Sequence, residues 1–273
     1  MTNKQITNGL IGAGEVELWY EQRGAGPDVL LIAGLSDPVE AWEPQLAGLS
    51  DRYRVTAFDN RGAGRSPMIP DGFTVADTAD DAAALLGALG IESAHVAGFS
   101  GGSVTAQELA LRHPQLVRSL VLQSTWARSD RFFAVVTDTF RWMVDAAPSE
   151  RAMLEAFLVW IYTPRAHNDG FVDQIIAEAL DFPHPQSPDA FHRQLRTWTA
   201  HDAFDRLHRI TAPTLVLAGG CDIFTNQAMG REVAELIPGA EFRLLPEEAH
   251  QPFQERPEEW NAIVDEFWAR TGG

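Results

Sequence analysis

Residues 94–112 read AHVAGFSGGSVTAQELALR, a short apolar run followed by a glycine-rich turn and a helix-forming segment. The run 94–97 is typical of a buried strand, and 104–112 has the composition of a helix. Between them, 98–102 (GFSGG) matches G-x-S-x-G, a turn that presents a nucleophilic serine between a strand and a helix. Only glycine fits the outer positions of so sharp a turn. The stretch predicts a reactive hydroxyl at Ser100, and a plain glycine-rich turn is the alternative.

A serine nucleophile needs a base, and His250 is the predicted one. A serine hydroxyl is a poor nucleophile at neutral pH, so a neighbouring imidazole must accept its proton. His250 lies in a loop after the last predicted strand, and such a loop faces the crevice of an open parallel sheet. The other histidines are expected to be structural, because one lies within a strand, one ends a helix and the rest lie in or near 126–208. They are His95, His113, His167, His184, His192, His201 and His208.

The imidazole needs an acceptor that fixes its tautomer, and Asp222 is the predicted acid. It follows the strand predicted at 214–218, which gives the chain order serine, acid, histidine that triads on a G-x-S-x-G turn show. Just after the preceding strand, residues 123–125 (QST) offer no carboxylate. Asp202 and Asp205 remain alternatives, although their helical setting suggests surface or capping roles.

Strands and helices alternate along most of the chain, which predicts an α/β fold. Short apolar strands joined by helical crossovers form a mostly parallel sheet with helices on both faces. Residues 15–22 alternate apolar and polar side chains before a turn at 24–27, so an antiparallel hairpin is expected to open the sheet. Further strands are predicted at 29–33, 53–58, 94–97, 116–122, 214–218 and 241–245, and helices at 75–89, 104–112, 227–236 and 257–269.

The alternation stops near Trp126 and resumes near residue 213. The interval 126–208 is predicted to hold several helices, rich in Trp and Phe and interrupted by prolines. We interpret it as a helical cap inserted into a core formed by 1–125 and 209–273. Most cap aromatics are expected to pack helices together, and some to line an apolar substrate pocket. The residues expected to contact substrate are Gly34, Ser36, Phe99, Trp126 and Trp160.

Charge and composition disfavour several classes of partner. A formal net charge of −17 disfavours nucleic acid and anionic membranes. No apolar run is long enough to cross a bilayer, and 1–14 lacks the pattern of a secretory signal, so a cytoplasmic location is expected. The single cysteine, Cys221, has no Cys or His at ligand spacing and is expected to be a small buried residue. A small-molecule substrate is the expected partner, and a homodimer is left open.

Together these landmarks resemble the α/β-hydrolase family, in its capped branch, over nearly the whole chain. The matching segments occur in the family's order: 30–38, 59–66 (DNRGAGRS, beside the family's DxRGxGxS), the turn at Ser100, 213–222, and His250 followed by 255–257 (ERP). The resemblance implies an oxyanion hole formed by the backbone amides of Leu35 and Gly101. The loop 59–66 is expected to be structural rather than a phosphate cradle, because it lacks G-x-x-x-x-G-K.

Two positions depart from the family's pattern. Many relatives begin the oxyanion loop with His-Gly where this chain has Ala33-Gly34, and many have Met after the nucleophile where this chain has Gly101. The backbone donors survive both changes. The first change removes a polar anchor, and the second is expected to widen the site beside the nucleophile.

The predicted function is that of a serine hydrolase that cleaves a carboxylic ester or lactone of a small, largely apolar molecule. The reaction would pass through an acyl-serine and would need no metal or organic cofactor. The resemblance also covers carbon–carbon bond hydrolysis, perhydrolysis and lyase chemistry, because this fold does not determine the reaction. A non-catalytic small-molecule receptor that uses the same pocket is a further alternative.

Overall fold

One sheet organises the molecule, which a computed structural model describes over residues 6–68 and 72–271. Within these residues eight strands are hydrogen-bonded in the order β1-β2-β4-β3-β5-β6-β7-β8. The strands are β1 (Ile6–Ala13), β2 (Val16–Arg23), β3 (Asp28–Ile32), β4 (Arg54–Phe58), β5 (Ala94–Phe99), β6 (Val117–Gln123), β7 (Thr214–Gly219) and β8 (Glu241–Leu245). β3 to β8 are mutually parallel, whereas β2 is antiparallel to both β1 and β4. The predicted mostly parallel sheet is confirmed.

The hairpin that opens the sheet differs from the predicted one. β1 pairs with β2, and the chain reverses at Gly14, whose φ of +64° favours glycine. The predicted turn at 24–27 leads instead from β2 to β3, which are not neighbours in the sheet. The sequence analysis missed β1 because this edge strand is mostly exposed and lacks the alternation of a half-buried strand. Residues 1–5, part of the segment without a secretory pattern, lie outside the described residues.

Helices cover both faces of the sheet. They are α1 (Glu43–Leu49), α2 (Val75–Ala88), α3 (Gly101–Arg112), α4 (Arg131–Ala146), α5 (Glu150–Leu158), α6 (Pro164–Asn168), α7 (Phe171–Asp181), α8 (Pro188–Thr199), α9 (Gln227–Leu236), α10 (Pro252–Glu255) and α11 (Pro257–Thr271). α2, α3 and α9 pack on one face, against side chains such as Leu30, and α1, α10 and α11 pack on the other, against side chains such as Leu31. Successive residues of a strand point to opposite faces, so apolar strands such as β3 are buried on both sides.

Local signals set where helices begin in 126–208. Pro164 and Pro188 are the first residues of α6 and α8, where proline's missing N–H costs no helical hydrogen bond. The side chains of Asp130 and Ser187 cap α4 and α8 by accepting from amides in the first turn. The prolines that mark this interval in the sequence therefore include starting points of helices.

The helices α4 to α8 form a layer, and an aromatic cluster connects it with residues that follow β5 and β7. That cluster contains Phe140 and Trp198 of the layer together with Val104 of α3 and Phe224 from the loop after β7. The division of the chain into a core and a cap stays a prediction. Within the described residues, no helix is both long and apolar enough to span a membrane.

Candidate active site

Ser100 lies at the turn between β5 and α3 in an unusual backbone conformation. Its φ is +52°, which residues other than glycine rarely adopt. The flanking glycines are required for space: a Cβ on Gly98 would lie 2.4 Å from the Gly102 carbonyl oxygen, and one on Gly102 would lie 2.2 Å from that of Ile32. The Ser100 amide donates to the Gln123 carbonyl at 3.0 Å. The turn is therefore strained, tightly packed and tied to the neighbouring strand, as expected where a reactive side chain must be presented.

Ser100, His250 and Asp222 form a continuous chain of contacts. Ser100 Oγ lies 3.0 Å from His250 Nε2, and His250 Nδ1 lies 2.8 Å from Asp222 Oδ2. The three residues follow β5, β8 and β7, so the carboxyl ends of parallel strands bring them to one edge of the sheet. All three are buried, with His250 only 1% exposed. Because a carboxylate only accepts hydrogen bonds, this arrangement places a proton on Nδ1 and leaves Nε2 to accept one from serine.

The Asp222 carboxylate is held by its own loop. The amides of Phe224 and Thr225 both donate to Oδ1 at 2.9 Å, and the Thr225 hydroxyl donates to Oδ2 at 2.7 Å. Thr225 Oγ1 also lies 3.1 Å from His250 Nδ1. The sequence analysis missed Thr225, although aspartate side chains often accept from backbone amides two residues on, which points to the segment after Asp222. These contacts fix the orientation of the carboxylate that faces the imidazole.

His250 is held by contacts from both the sheet and the helical layer. Its carbonyl oxygen accepts from the Ser124 hydroxyl at 2.9 Å, and its amide donates to the Ile161 carbonyl at 3.0 Å. The rings of Phe99 and Phe224 flank the imidazole at centroid distances of 4.9 and 5.0 Å. Ser124 and Ile161 were not predicted, because their partner is more than one element away along the chain. The backbone position of His250 therefore depends partly on the helical layer.

The two amides predicted to form an oxyanion hole lie on segments that pack together. Gly101 is the first residue of α3, where helical N–H groups have no intrahelical partner. The Leu35 amide has no hydrogen-bond acceptor among the residues that the structure describes. The loop that carries Leu35 packs against the turn at Ser100, since a Cβ on Gly34 would lie 2.9 Å from the Phe99 ring. Both amides are thus placed beside this turn, and their role stays a prediction.

The expectation that Gly101 widens the site is wrong. The indole of Trp198, from α8, lies over Gly101, and a Cβ there would come within 2.2 Å of the ring. Trp198 is buried, and its Nε1 donates to the Thr105 hydroxyl at 3.3 Å. A tryptophan of the helical layer therefore fills the space that a larger side chain after the nucleophile would occupy.

The residues predicted to contact substrate lie at different depths. Phe99 packs edge-on against the imidazole, and Gly34 and Ser36 lie on the loop that carries Leu35. Trp126 is buried and reaches His250 only through two further rings, at 4.6 Å from Phe133 to Trp126 and 5.1 Å from Phe133 to Phe224. Trp160 is half-buried in the same aromatic cluster. Trp160 is therefore more exposed than Trp126, and the contact of either side chain with substrate stays a prediction.

Asp37 is a carboxyl group near the site that the sequence analysis did not single out. Its Oδ2 accepts from Nε2 of Gln251, the residue after His250, at 3.2 Å. Burial raises the pKa of the Asp37 carboxyl to about 7, while the charge of His250 and the hydrogen bond from Gln251 act in the opposite direction. No motif in the sequence distinguishes Asp37 from an ordinary loop aspartate.

The alternative bases and acids lie outside this network. His95 Nδ1 lies 2.7 Å from Ser119 Oγ inside the sheet, where burial lowers the pKa of the histidine to about 4. Burial also lowers the pKa of His201 to about 4, and its Nε2 lies 3.0 Å from Gln107 Oε1. Asp202 is exposed, and its side chain accepts from the Phe204 amide at 3.1 Å.

The loop 59–66 braces the loop that carries Leu35. Asp59 Oδ1 accepts from the Val39 amide at 2.6 Å, and Asn60 Nδ2 donates to the Ala33 carbonyl at 2.9 Å. Burial raises the pKa of Asp59 to about 6, and the amides of Arg65 and Val39 counteract that rise. These contacts bind the two loops together at both ends of 33–39, which favours a structural role for 59–66.

Cys221 is exposed, which overturns the expectation of a small buried residue. It lies in the loop that follows β7, and its thiol is 3.6 Å from the Pro246 carbonyl oxygen. Across 6–68 and 72–271, no three His, Cys, Asp or Glu side chains are grouped so as to hold a metal ion.

A mostly parallel sheet with a serine on a sharp strand-to-helix turn is typical of α/β proteins of the hydrolase type. A family model described as "alpha/beta hydrolase fold" matches residues 27–257, and the chain belongs to this family. The chain is also similar to a protein of Azorhizobium caulinodans named "Putative carbamate hydrolase RutD". The two are 32% identical over 92% of this chain and 94% of the relative.

Two further proteins show the range of names among similar chains. A Mycobacterium tuberculosis protein named "Putative non-heme bromoperoxidase BpoC" is 33% identical over 93% of this chain and 98% of its own length. The crystal structure of an enol-lactonase from Burkholderia xenovorans LB400 superimposes with a TM-score of 0.84. It is 26% identical and covers 96% of this chain and 100% of its own.

Proposed function

We propose that this protein is a serine hydrolase that cleaves a carboxylic ester or lactone of a small, largely apolar molecule. The observation that carries the proposal is the chain of contacts from Ser100 Oγ through His250 to Asp222, at 3.0 and 2.8 Å. A hydroxyl so placed can lose its proton to Nε2 as it attacks a carbonyl carbon. The chain also belongs to a family described by the alpha/beta hydrolase fold.

The reaction follows from the roles of these groups. His250 accepts the proton of Ser100 during attack, and the amides of Leu35 and Gly101 stabilise the oxyanion of the tetrahedral intermediate. His250 then protonates the leaving group, which departs and leaves an acyl-serine, and the same imidazole activates water for deacylation. Asp222 holds the imidazole in place and stabilises the imidazolium that forms in each step.

An apolar substrate is supported by the surroundings of the triad. The aromatic cluster that reaches His250 through Phe224 includes half-buried side chains, among them Leu35 and Trp160. Such side chains can contact an apolar acyl or alcohol group, whereas the net charge of −17 disfavours anionic substrates. We further propose that 126–208 is a cap, because this segment supplies most of that cluster and none of the three triad residues.

Carbamate hydrolysis is a second candidate, favoured by the similarity to relatives that carry that name. A carbamate carbonyl can be attacked by the same serine and gives a tetrahedral intermediate with the same oxyanion. The two candidates differ in the acyl part of the substrate and not in the residues that act: when the alcohol departs, a carbamate leaves a carbamoyl-serine and an ester leaves an acyl-serine. The similarity to an enol-lactonase supports the first candidate, hydrolysis of a lactone.

Labelling with an alkyl fluorophosphonate, followed by mass mapping, tests the nucleophile. We expect one adduct, on Ser100, and its loss in Ser100→Ala. Ser119→Ala is the matched control, because Ser119 also contacts a histidine but lies within β6 and contacts His95 rather than His250. An adduct on another residue, or full turnover by folded Ser100→Ala, would refute the proposal.

A substrate panel then distinguishes the reactions. Wild type and Ser100→Ala are compared on short and long esters, lactones, N-alkyl carbamates and β-diketones. The proposal predicts the highest kcat/KM on an ester or lactone. A carbamate optimum would favour the second candidate, and a β-diketone optimum would favour carbon–carbon bond hydrolysis.

A further inference from the structure

Two glutamines of the helical layer contact the loop that carries Leu35. Gln194, in α8, is fully buried, and its Oε1 accepts from the Ser36 amide at 3.4 Å and from Gln186 Nε2 at 2.9 Å. The Ser36 hydroxyl donates to Gln186 Oε1 at 2.5 Å. Ser36 directly follows Leu35, so these bonds act on the residue next to the proposed oxyanion donor.

The same glutamines are anchored on their other side to the loop 59–66. Gln194 Nε2 donates to the Arg61 carbonyl at 2.8 Å, and Gln186 Nε2 donates to the Gly62 carbonyl at 2.9 Å. Arg61 is itself fixed by a buried two-bond ion pair with Asp81, at 2.6 Å for each bond. We call Gln186 and Gln194 the glutamine bridge, because together they join a rigid loop to the loop of Leu35.

Ser36 needs such a support because its backbone is strained. Its φ of +66° lies in the left-handed region, which costs energy for a residue with a side chain. A strained conformation persists only where its surroundings impose it. The glutamine bridge supplies hydrogen bonds to both the amide and the hydroxyl of Ser36. Relaxation of Ser36 would also turn the peptide that it shares with Leu35.

We propose that Gln194, assisted by Gln186, is a positioning residue for the oxyanion loop. The helical layer then sets the geometry of the Leu35 amide in addition to covering the site. The inference rests on the proposed function, because it takes the Leu35 amide to bind the oxyanion. A displacement of about 1 Å in a catalytic group can lower a rate about 100-fold, so small movements of this loop matter.

Gln194→Met tests the inference, because methionine has a similar length and volume but makes none of the three hydrogen bonds. We expect kcat on the best ester to fall roughly 10- to 100-fold and KM to change by less than about threefold, since the oxyanion exists only after attack. The affinity for an alkyl boronic acid, whose adduct with serine is tetrahedral, should fall in parallel with kcat.

Thr197→Val is the matched control, because it lies on the same helix and loses one buried hydrogen bond, to the Phe73 carbonyl at 2.8 Å, away from the oxyanion loop. Should circular dichroism show that Gln194→Met does not fold, the half-buried Gln186→Met replaces it. The inference is overturned if the folded glutamine variant matches Thr197→Val in kcat and boronic acid affinity. Failure of the proposed function has a different signature: Ser100→Ala would keep its turnover, and wild type would not bind the boronic acid.

Discussion

The indole of Trp198, from the helical layer, packs against the backbone of Gly101, the first residue of the helix that follows Ser100. A Cβ on Gly101 would lie 2.2 Å from Cε3 of the indole, closer than any real contact. Glycine at this position is therefore a packing requirement of the tryptophan. Because the Gly101 amide is also a proposed oxyanion donor, packing of the layer and placement of that donor are linked.

Gly101→Ala should lower kcat by roughly tenfold or more, because the added methyl group must displace either the indole or the start of α3. Helix propensity alone would make the alanine variant more stable, because it favours alanine over glycine by about 1 kcal/mol inside a helix. The second substitution Trp198→Leu should restore part of kcat in the double variant by making room for the methyl group. Steady-state kinetics of the two single variants and the double variant measure the coupling. Additive effects on kcat would show that the contact is not what constrains Gly101.

Asp222→Asn should fold but lose roughly 10³–10⁴-fold in kcat, because an amide can stabilise the wrong tautomer of His250 and cannot stabilise the imidazolium. Asp202→Asn is the control, since this aspartate is exposed and its side chain accepts from the Phe204 amide, outside the triad. Thermal unfolding of both variants checks their stability. A loss of kcat in Asp202→Asn with none in Asp222→Asn would move the acid to the other position.

Asp37 predicts a dependence of stability on pH. Burial raises its pKa from 3.8 to about 7, so between these values the folded chain holds a proton that the unfolded chain has released. The stability contributed by this proton is complete below about pH 4 and is lost as the pH rises through about 7.

Asp37→Asn should therefore flatten the change in the free energy of unfolding between pH 5 and pH 8, by on the order of 1 kcal/mol. Urea unfolding at the two pH values measures it, with the exposed Asp205→Asn as the control. An identical pH dependence in wild type and Asp37→Asn would show that Asp37 does not keep its proton in the folded chain between pH 5 and pH 7.

The parts of the fold that sequence reasoning predicted are those with a local signal. The strand, turn and helix around Ser100 follow from an apolar run and closely spaced glycines, and the positions of Asp222 and His250 follow from their places after strands. β1 lacks such a signal, because an exposed edge strand needs few apolar residues.

The supports of the site could not be predicted because they join residues far apart along the chain. The contact between Gln194 and Ser36 spans 158 residues, and neither residue belongs to a motif. The contact of Trp198 with Gly101 even reverses a conclusion drawn from the family's pattern, since the space left by a missing side chain is filled from another element. Local composition does not determine such packing; the arrangement of the helical layer does.

Trp160 provides a test of whether the helical layer selects the substrate. It is half-buried in the aromatic cluster beside the triad, so removal of its indole should weaken contacts with large apolar groups and leave Ser100 intact. Trp160→Ala should change the ratio of kcat/KM between long and short esters by about 10- to 100-fold, as expected for pocket contacts of about 1–3 kcal/mol.

Trp142→Ala is the matched control, because this tryptophan of α4 is 67% exposed and lies outside the cluster. It should leave the ratio of long to short esters unchanged. The rate of fluorophosphonate labelling at Ser100 should stay close to that of wild type in both variants, since a small label needs no contact with the layer. Equal losses on all esters together with slower labelling in Trp160→Ala would mean that this side chain supports the triad. A residue that only selects substrate makes no contact with the small label and therefore cannot slow the labelling of Ser100.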